Sequence, residues 1–186
     1  MSDQNLVNRR DFVKTAGGAV AATSLLGADA FAQTPSGRRR YALIGTGERA
    51  TGMWGRQIRE RYADVLQFVG LCDINPKRLE NSKVLMGVDC PTFTNFDEML
   101  DKTKPDVVMV TTRDSFHSQY IVRALDRGFD VMTEKPMVID EKQCQAVLDA
   151  EKRNKKNIVV TFNYRFAPKH QKIKELLLAG EIGTVS

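Results

Sequence analysis

The chain has 186 residues, is 42% hydrophobic and 27% charged, and carries a formal net charge of +5. That balance is ordinary for a soluble globular protein. Three cysteines without a CxxC pair and two histidines offer no zinc constellation, and the basic runs Arg38-Arg39-Arg40 and Lys152-Arg153-Asn154-Lys155-Lys156 lack the interleaved aromatics of a nucleic-acid surface.

The chain opens on an address. Asn8-Arg9-Arg10-Asp11-Phe12-Val13-Lys14 has the twin-arginine form RRxFxK. A mildly apolar stretch, Thr15 to Leu26, follows it, and it is too short and too weakly apolar for a stable membrane span. Ala30-Phe31-Ala32 supplies an A-x-A cleavage site. Residues 1–32 are therefore expected to be a signal peptide, with a periplasmic or secreted mature chain starting at Gln33 and a linker over 33–40. Twin-arginine export carries folded proteins, which suits one that folds around a cytoplasmic cofactor. Arg9, Arg10 and Lys14 cancel Asp3, Asp11 and Asp29, so the basic excess survives cleavage.

The first strand is expected at 41–45, and it runs into Gly45-Thr46-Gly47-Glu48-Arg49-Ala50 before a helical stretch, 49–62. Gly45 permits a tight turn, Gly47 lets a pyrophosphate approach the backbone, and Ala50 lets helix and strand pack closely. The helix start then presents N–H groups to phosphate. A second strand, 67–72, ends at Asp73, at the distance where a carboxylate takes a ribose 2′-hydroxyl. That acid would repel a 2′-phosphate, which favours NAD over NADP, while Lys77, Arg78 and Arg49 could offset part of the repulsion.

Pro76 is well placed to start a helix to about Met86, a short strand at 92–94 follows, and Asn95 caps a helix over 96–102. Asp106–Thr111, DVVMVT, is continuously apolar, as a strand covered on both faces must be. A helix over 118–127 stops at Gly128, a strand follows at 130–133, and Asp140 caps a helix to Asn154 before a strand at 157–161. The alternation predicts an α/β fold with a doubly wound parallel sheet over 41–166. Cys72 is expected in the core, and a Cys90–Cys144 bridge is an open alternative.

Ligands of such sheets bind beyond the carboxyl ends of the strands. There this chain places Thr111-Thr112-Arg113-Asp114-Ser115-Phe116-His117, then Glu134-Lys135-Pro136, then Phe162-Asn163-Tyr164-Arg165-Phe166. The glycine fingerprint, T-x-x-D-x-x-H, the EKP tripeptide and N-x-R-F-x-P together resemble the glucose–fructose oxidoreductase/inositol dehydrogenase/MocA (Gfo/Idh/MocA) family over 41–186. The resemblance implies a Rossmann NAD-binding domain. It also implies roles: Lys135 as the catalytic group between nicotinamide and substrate, where burial would ease loss of its proton; Glu134 on a cofactor ribose; Thr111, Asp114 and His117 around the cofactor; and Asn163 and Arg165 near nicotinamide or substrate. Arg113 departs from the family, which commonly has proline there.

A helix is expected over 167–179, ended by Gly180, and 184–186 begins a strand. In the resembled family that strand opens a second α+β domain bearing substrate and oligomer contacts, so the chain is expected to be the front part of a longer, homo-oligomeric enzyme and inactive alone. The leading expectation is hydride transfer to or from a sugar or polyol. Alternatives are an exported NAD-dependent glycoside hydrolase of the same family and a nucleotide-binding fragment without activity of its own.

Overall fold

A computed structural model describes residues 37–181 and Gly183. The signal peptide and cleavage site expected over 1–32, most of the expected linker and the strand expected at 184–186 lie outside these residues. The structured unit opens with β1 (Arg39–Ile44), a π-helical run (Ala50–Gln57) and α1 (Ile58–Tyr62). Next come β2 (Leu66–Cys72), α2 (Pro76–Met86), β3 (Thr92–Phe93), α3 (Phe96–Thr103) and β4 (Val107–Val110). Then follow a 3-10 turn (Asp114–Phe116), α4 (His117–Asp126), β5 (Asp130–Glu134), α5 (Glu141–Asn154) and β6 (Ile158–Thr161). A second 3-10 turn (Asn163–Phe166) and α6 (Pro168–Leu178) end it. The six strands form one sheet in the order β3-β2-β1-β4-β5-β6, parallel at every pairing. The strand order reverses between β1 and β4, which opens a crevice at their carboxyl ends.

Side-chain alternation sorts the two cores. Ala42 and Ile44 of β1 meet Val108, Val110 and Val131 beneath Phe96, Leu100, Ile121 and Leu125. Leu43 faces the other way, with Leu71 and Met109, under Ala50, Leu79 and Met86. All four residues of β4 are buried, as a doubly covered strand requires.

Caps carry the helix starts. Asn95 accepts from the Glu98 N–H at 3.1 Å and Asp140 from the Gln143 N–H at 2.8 Å. Pro76 follows a further cap, Asn75, which accepts from the Arg78 N–H.

Two expectations are corrected. The basic run is no linker: β1 starts at Arg39, whose guanidinium reaches Asp130 at 3.0 Å, and the Arg40 N–H donates to Asp106 at 2.8 Å. Both acids sit at the opposite end of the sheet from the crevice, so these arginines tie down strand starts. The helix after the glycine loop begins as wide π turns, over Gly52 and Gly55. A Cβ on Gly55 would collide with the Met86 side chain, so α2 packs directly on that backbone.

Cys72, Cys90 and Cys144 are all free. A Cys90–Cys144 bridge is ruled out because Cys90 is buried in the core around Leu43, whereas Cys144 rides on α5, which packs against α4 across the sheet. Burial, with Asp73 adding to it, pushes the Cys72 thiol up to about 12, and burial pushes Cys90 up to about 11. Both stay protonated near neutral pH, and thiolate is the reactive form. A colorimetric thiol reagent is expected to label one of the three quickly, Cys144, and the other two only on unfolding. Fast labelling of a second thiol would contradict this packing.

Candidate active site

The crevice is built from the ends of β1, β2 and β4. Gly45 has φ +90, and a Cβ there would stand 2.7 Å from the Thr112 nitrogen and 2.8 Å from the Thr111 carbonyl, so the loop presses on the β4 exit. The Thr111 hydroxyl lies 3.0 Å from the Ile44 carbonyl and 2.8 Å from that of Gly45, holding the two strand ends together. At Gly47 a Cβ would meet nothing within 4 Å, so the backbone there is open. Ala50 is fully buried under the π turns. Glu48 and Arg49 are exposed on the crevice wall.

A cavity of about 360 Å³ lies above this loop, with Gly47, Asp73, Ile74, Arg78, Arg113 and Phe116 among its lining. Asp73 is 4% exposed. Its Oδ2 accepts from the Thr46 N–H at 2.8 Å and the Thr46 hydroxyl at 3.1 Å, and Arg78 reaches it at 3.4 Å. Its Oδ1 accepts only the Asn75 N–H, at 3.0 Å, which leaves capacity for one hydroxyl. Asp73 therefore clamps the glycine loop and still faces the cavity. Arg78 is the cation at that carboxylate. Arg49 is turned elsewhere, and Lys77 is exposed outside the lining. Across the cavity Arg113, where the family commonly has proline, sets its guanidinium 5.0 Å over the Phe116 ring.

The other end of the crevice centres on Glu134, 6% exposed. Its Oε1 accepts from Arg49 Nε and from the Trp54 indole N–H, both at 2.6 Å, while Oε2 accepts the Lys135 N–H at 3.2 Å. Charge-assisted hydrogen bonds to a buried carboxylate contribute about 2 kcal/mol each. Glu134 thus straps the glycine-loop helix to the β5 exit. Trp54 went unnoticed in the sequence, where a lone tryptophan just inside this helix was the available signal.

His117 is 1% exposed, with Nδ1 2.7 Å from the Pro136 carbonyl and Nε2 3.0 Å from that of Thr112. A neutral ring can donate to only one of them. The histidine expected along the cofactor instead lies behind the wall and braces the β4 and β5 exits, at the cis peptide Lys135-Pro136. Asp114 is exposed on its 3-10 turn and does not line the cavity.

Lys135 is exposed, not buried as expected. It lines a second, open cavity of about 670 Å³ with Arg49, Phe162, Asn163, Tyr164 and Arg165. Arg49 borders both cavities. Among the described residues no three His, Cys, Asp or Glu side chains are grouped to hold a metal ion.

Residues 39–162 match the GFO_IDH_MocA oxidoreductase family, whose members carry an NAD-binding Rossmann fold. The chain belongs to that family. It is 40% identical to YteT of Bacillus subtilis strain 168 over 152 residues, 80% of this chain and 36% of that protein. It is 30% identical to inositol 2-dehydrogenase 3 of Saccharopolyspora erythraea over 149 residues, 78% of this chain and 42% of the relative. Among solved structures, the WlbA dehydrogenase of Chromobacterium violaceum, in complex with NADH and UDP-GlcNAcA, superposes with a TM-score of 0.71 at 27% identity, over 80% of this chain and 42% of that one. The chain therefore spans about two fifths of the length of these relatives. The family match fits the geometry: the open backbone at Gly47, the orphan N–H groups of the helix start and the remaining acceptor capacity of Asp73 Oδ1 suit pyrophosphate and ribose.

Proposed function

We propose that this protein is an NAD-dependent oxidoreductase acting on a sugar or polyol hydroxyl. The observation that carries the reading is a pair of cavities that share Arg49, one lined by the glycine loop and Asp73, the other by Lys135. Bound nicotinamide would supply or accept the hydride. Gly45 to Ala50 would hold the pyrophosphate and Asp73 an adenosine ribose hydroxyl. Glu134, besides fixing the Lys135 backbone, would face the second ribose. Lys135 Nζ would hydrogen-bond the reacting oxygen and take or return its proton. Asp73 favours NAD, because a carboxylate accepts hydroxyls and repels a 2′-phosphate. The RRxFxK segment supports export to the periplasm or beyond, and the full-length protein is proposed to be a homo-oligomer.

The test is to purify the protein gently, denature it, and identify any released dinucleotide by mass spectrometry. Released NAD, with NADH accumulating when a sugar is added to the full-length protein, is the expected result. Sugar hydrolysis with no net NADH would mark an NAD-dependent glycosidase. Released NADP would shift the adenosine assignment from Asp73 to Arg78. No dinucleotide, and none taken up on titration, would refute the proposal.

A further inference from the structure

The cavity around Lys135 carries more charge than a neutral sugar calls for. Its lining holds Arg49, Lys135 and Arg165 and no acid. Arg49 is answered by Glu134 at 2.6 Å. Lys135 and Arg165 form no ion pair among the described residues. A dinucleotide would not use up this charge, since its pyrophosphate would be served by the N–H groups of the glycine loop, which lines the other cavity. The rest of the lining suits a pyranose. Phe162 and Tyr164 are 55% and 70% exposed, offering ring faces to sugar C–H groups, and the Asn163 amide can donate and accept to hydroxyls.

Resting on the oxidoreductase reading above, we infer that the substrate is a sugar acid, its carboxylate taken by Arg165 while Lys135 holds the reacting hydroxyl. A guanidinium matches a carboxylate with two parallel N–H donors, a geometry that an ammonium cannot reproduce. Placed at Arg165, that fork fixes one end of the pyranose and presents a chosen carbinol to Lys135. The carboxylate also answers the Arg165 charge, which forms no ion pair among the described residues.

The experiment measures binding of D-glucuronate, D-glucose and D-glucose 6-phosphate to the NAD-loaded, full-length protein by calorimetry. Glucuronate is expected to bind about tenfold or more tighter than glucose, a difference of about 1.4 kcal/mol. The preference should shrink as salt is raised and disappear in Arg165→Gln, with Arg165→Lys restoring part of it. Equal binding of glucose, a preference that survives Arg165→Gln, or no binding of any anion overturns the inference. So does loss of bound NAD in Arg165→Gln, which would place Arg165 on the cofactor. Tighter binding of glucose 6-phosphate than glucuronate replaces carboxylate by phosphate and overturns the sugar-acid assignment. Failure of the oxidoreductase reading itself is seen separately, as absence of bound dinucleotide before any sugar is added.

Discussion

Lys135→Ala is expected to lower turnover of the full-length protein about 1,000-fold while bound NAD stays at the wild-type level. The lysine follows the strapped carboxylate of Glu134, yet its side chain is exposed on the larger cavity, clear of the glycine loop. Removing the ammonium would delete the group that carries the proton of the reacting hydroxyl. A positioned acid or base is worth about 100- to 10,000-fold. Because the groups proposed for the dinucleotide lie mostly elsewhere, its affinity should change little. The check is steady-state NADH formation beside the NAD content of purified wild type and variant. Lys135→Arg keeps a cation but cannot readily give up its proton, so it should restore substrate binding without restoring rate. Turnover within tenfold of wild type in Lys135→Ala would remove Lys135 from the chemistry.

The second large effect is structural. Gly45→Ala is expected to cost about 3 kcal/mol or more and to abolish NAD binding. The new Cβ would fall 2.7–2.8 Å from main-chain atoms of Thr111 and Thr112, which have no flexible end to move aside. The φ of +90 adds strain for any L side chain, and overpacking of this kind costs about 1–3 kcal/mol more. For a domain of this size the melting temperature should fall by roughly 10 °C. Gly47→Ala is the matched control, because its Cβ meets nothing within 4 Å. It should leave melting nearly unchanged and weaken NAD binding, since the methyl would stand where phosphate approaches. Thermal denaturation followed by NAD titration of both variants decides the matter, and equal melting of the two would show that the Gly45 turn is not under the constraint described.

These two glycines also show how far the sequence reaches. Spacing already assigns one to a tight turn and the other to phosphate approach, but what each one faces is settled only in three dimensions. Gly45 answers to the β4 exit, more than 60 residues further along the chain, and Gly47 to open space. The strands and helix starts were legible because they rest on local chemistry. VVMV is apolar on both faces because both are covered, and Asn95 and Asp140 cap helices by bonding three residues ahead. The π-helical turns were not legible, because the close approach of Met86 to Gly55 joins residues about 30 positions apart, and no local spacing records it.

By itself the sequence determined the alternation of strands and helices, the glycine loop with its following acid, and the family to which these belong. Such features depend on residues near one another in the chain. Only the tertiary structure decided that Asp73 clamps Thr46, that Glu134 joins Arg49 and Trp54, that His117 is buried between two carbonyls, and that Arg39 answers Asp130. Each is a polar group whose partner is set by the parallel crossovers. A carboxylate or imidazole in a string of residues carries no mark of which distant donor or acceptor will compensate its burial.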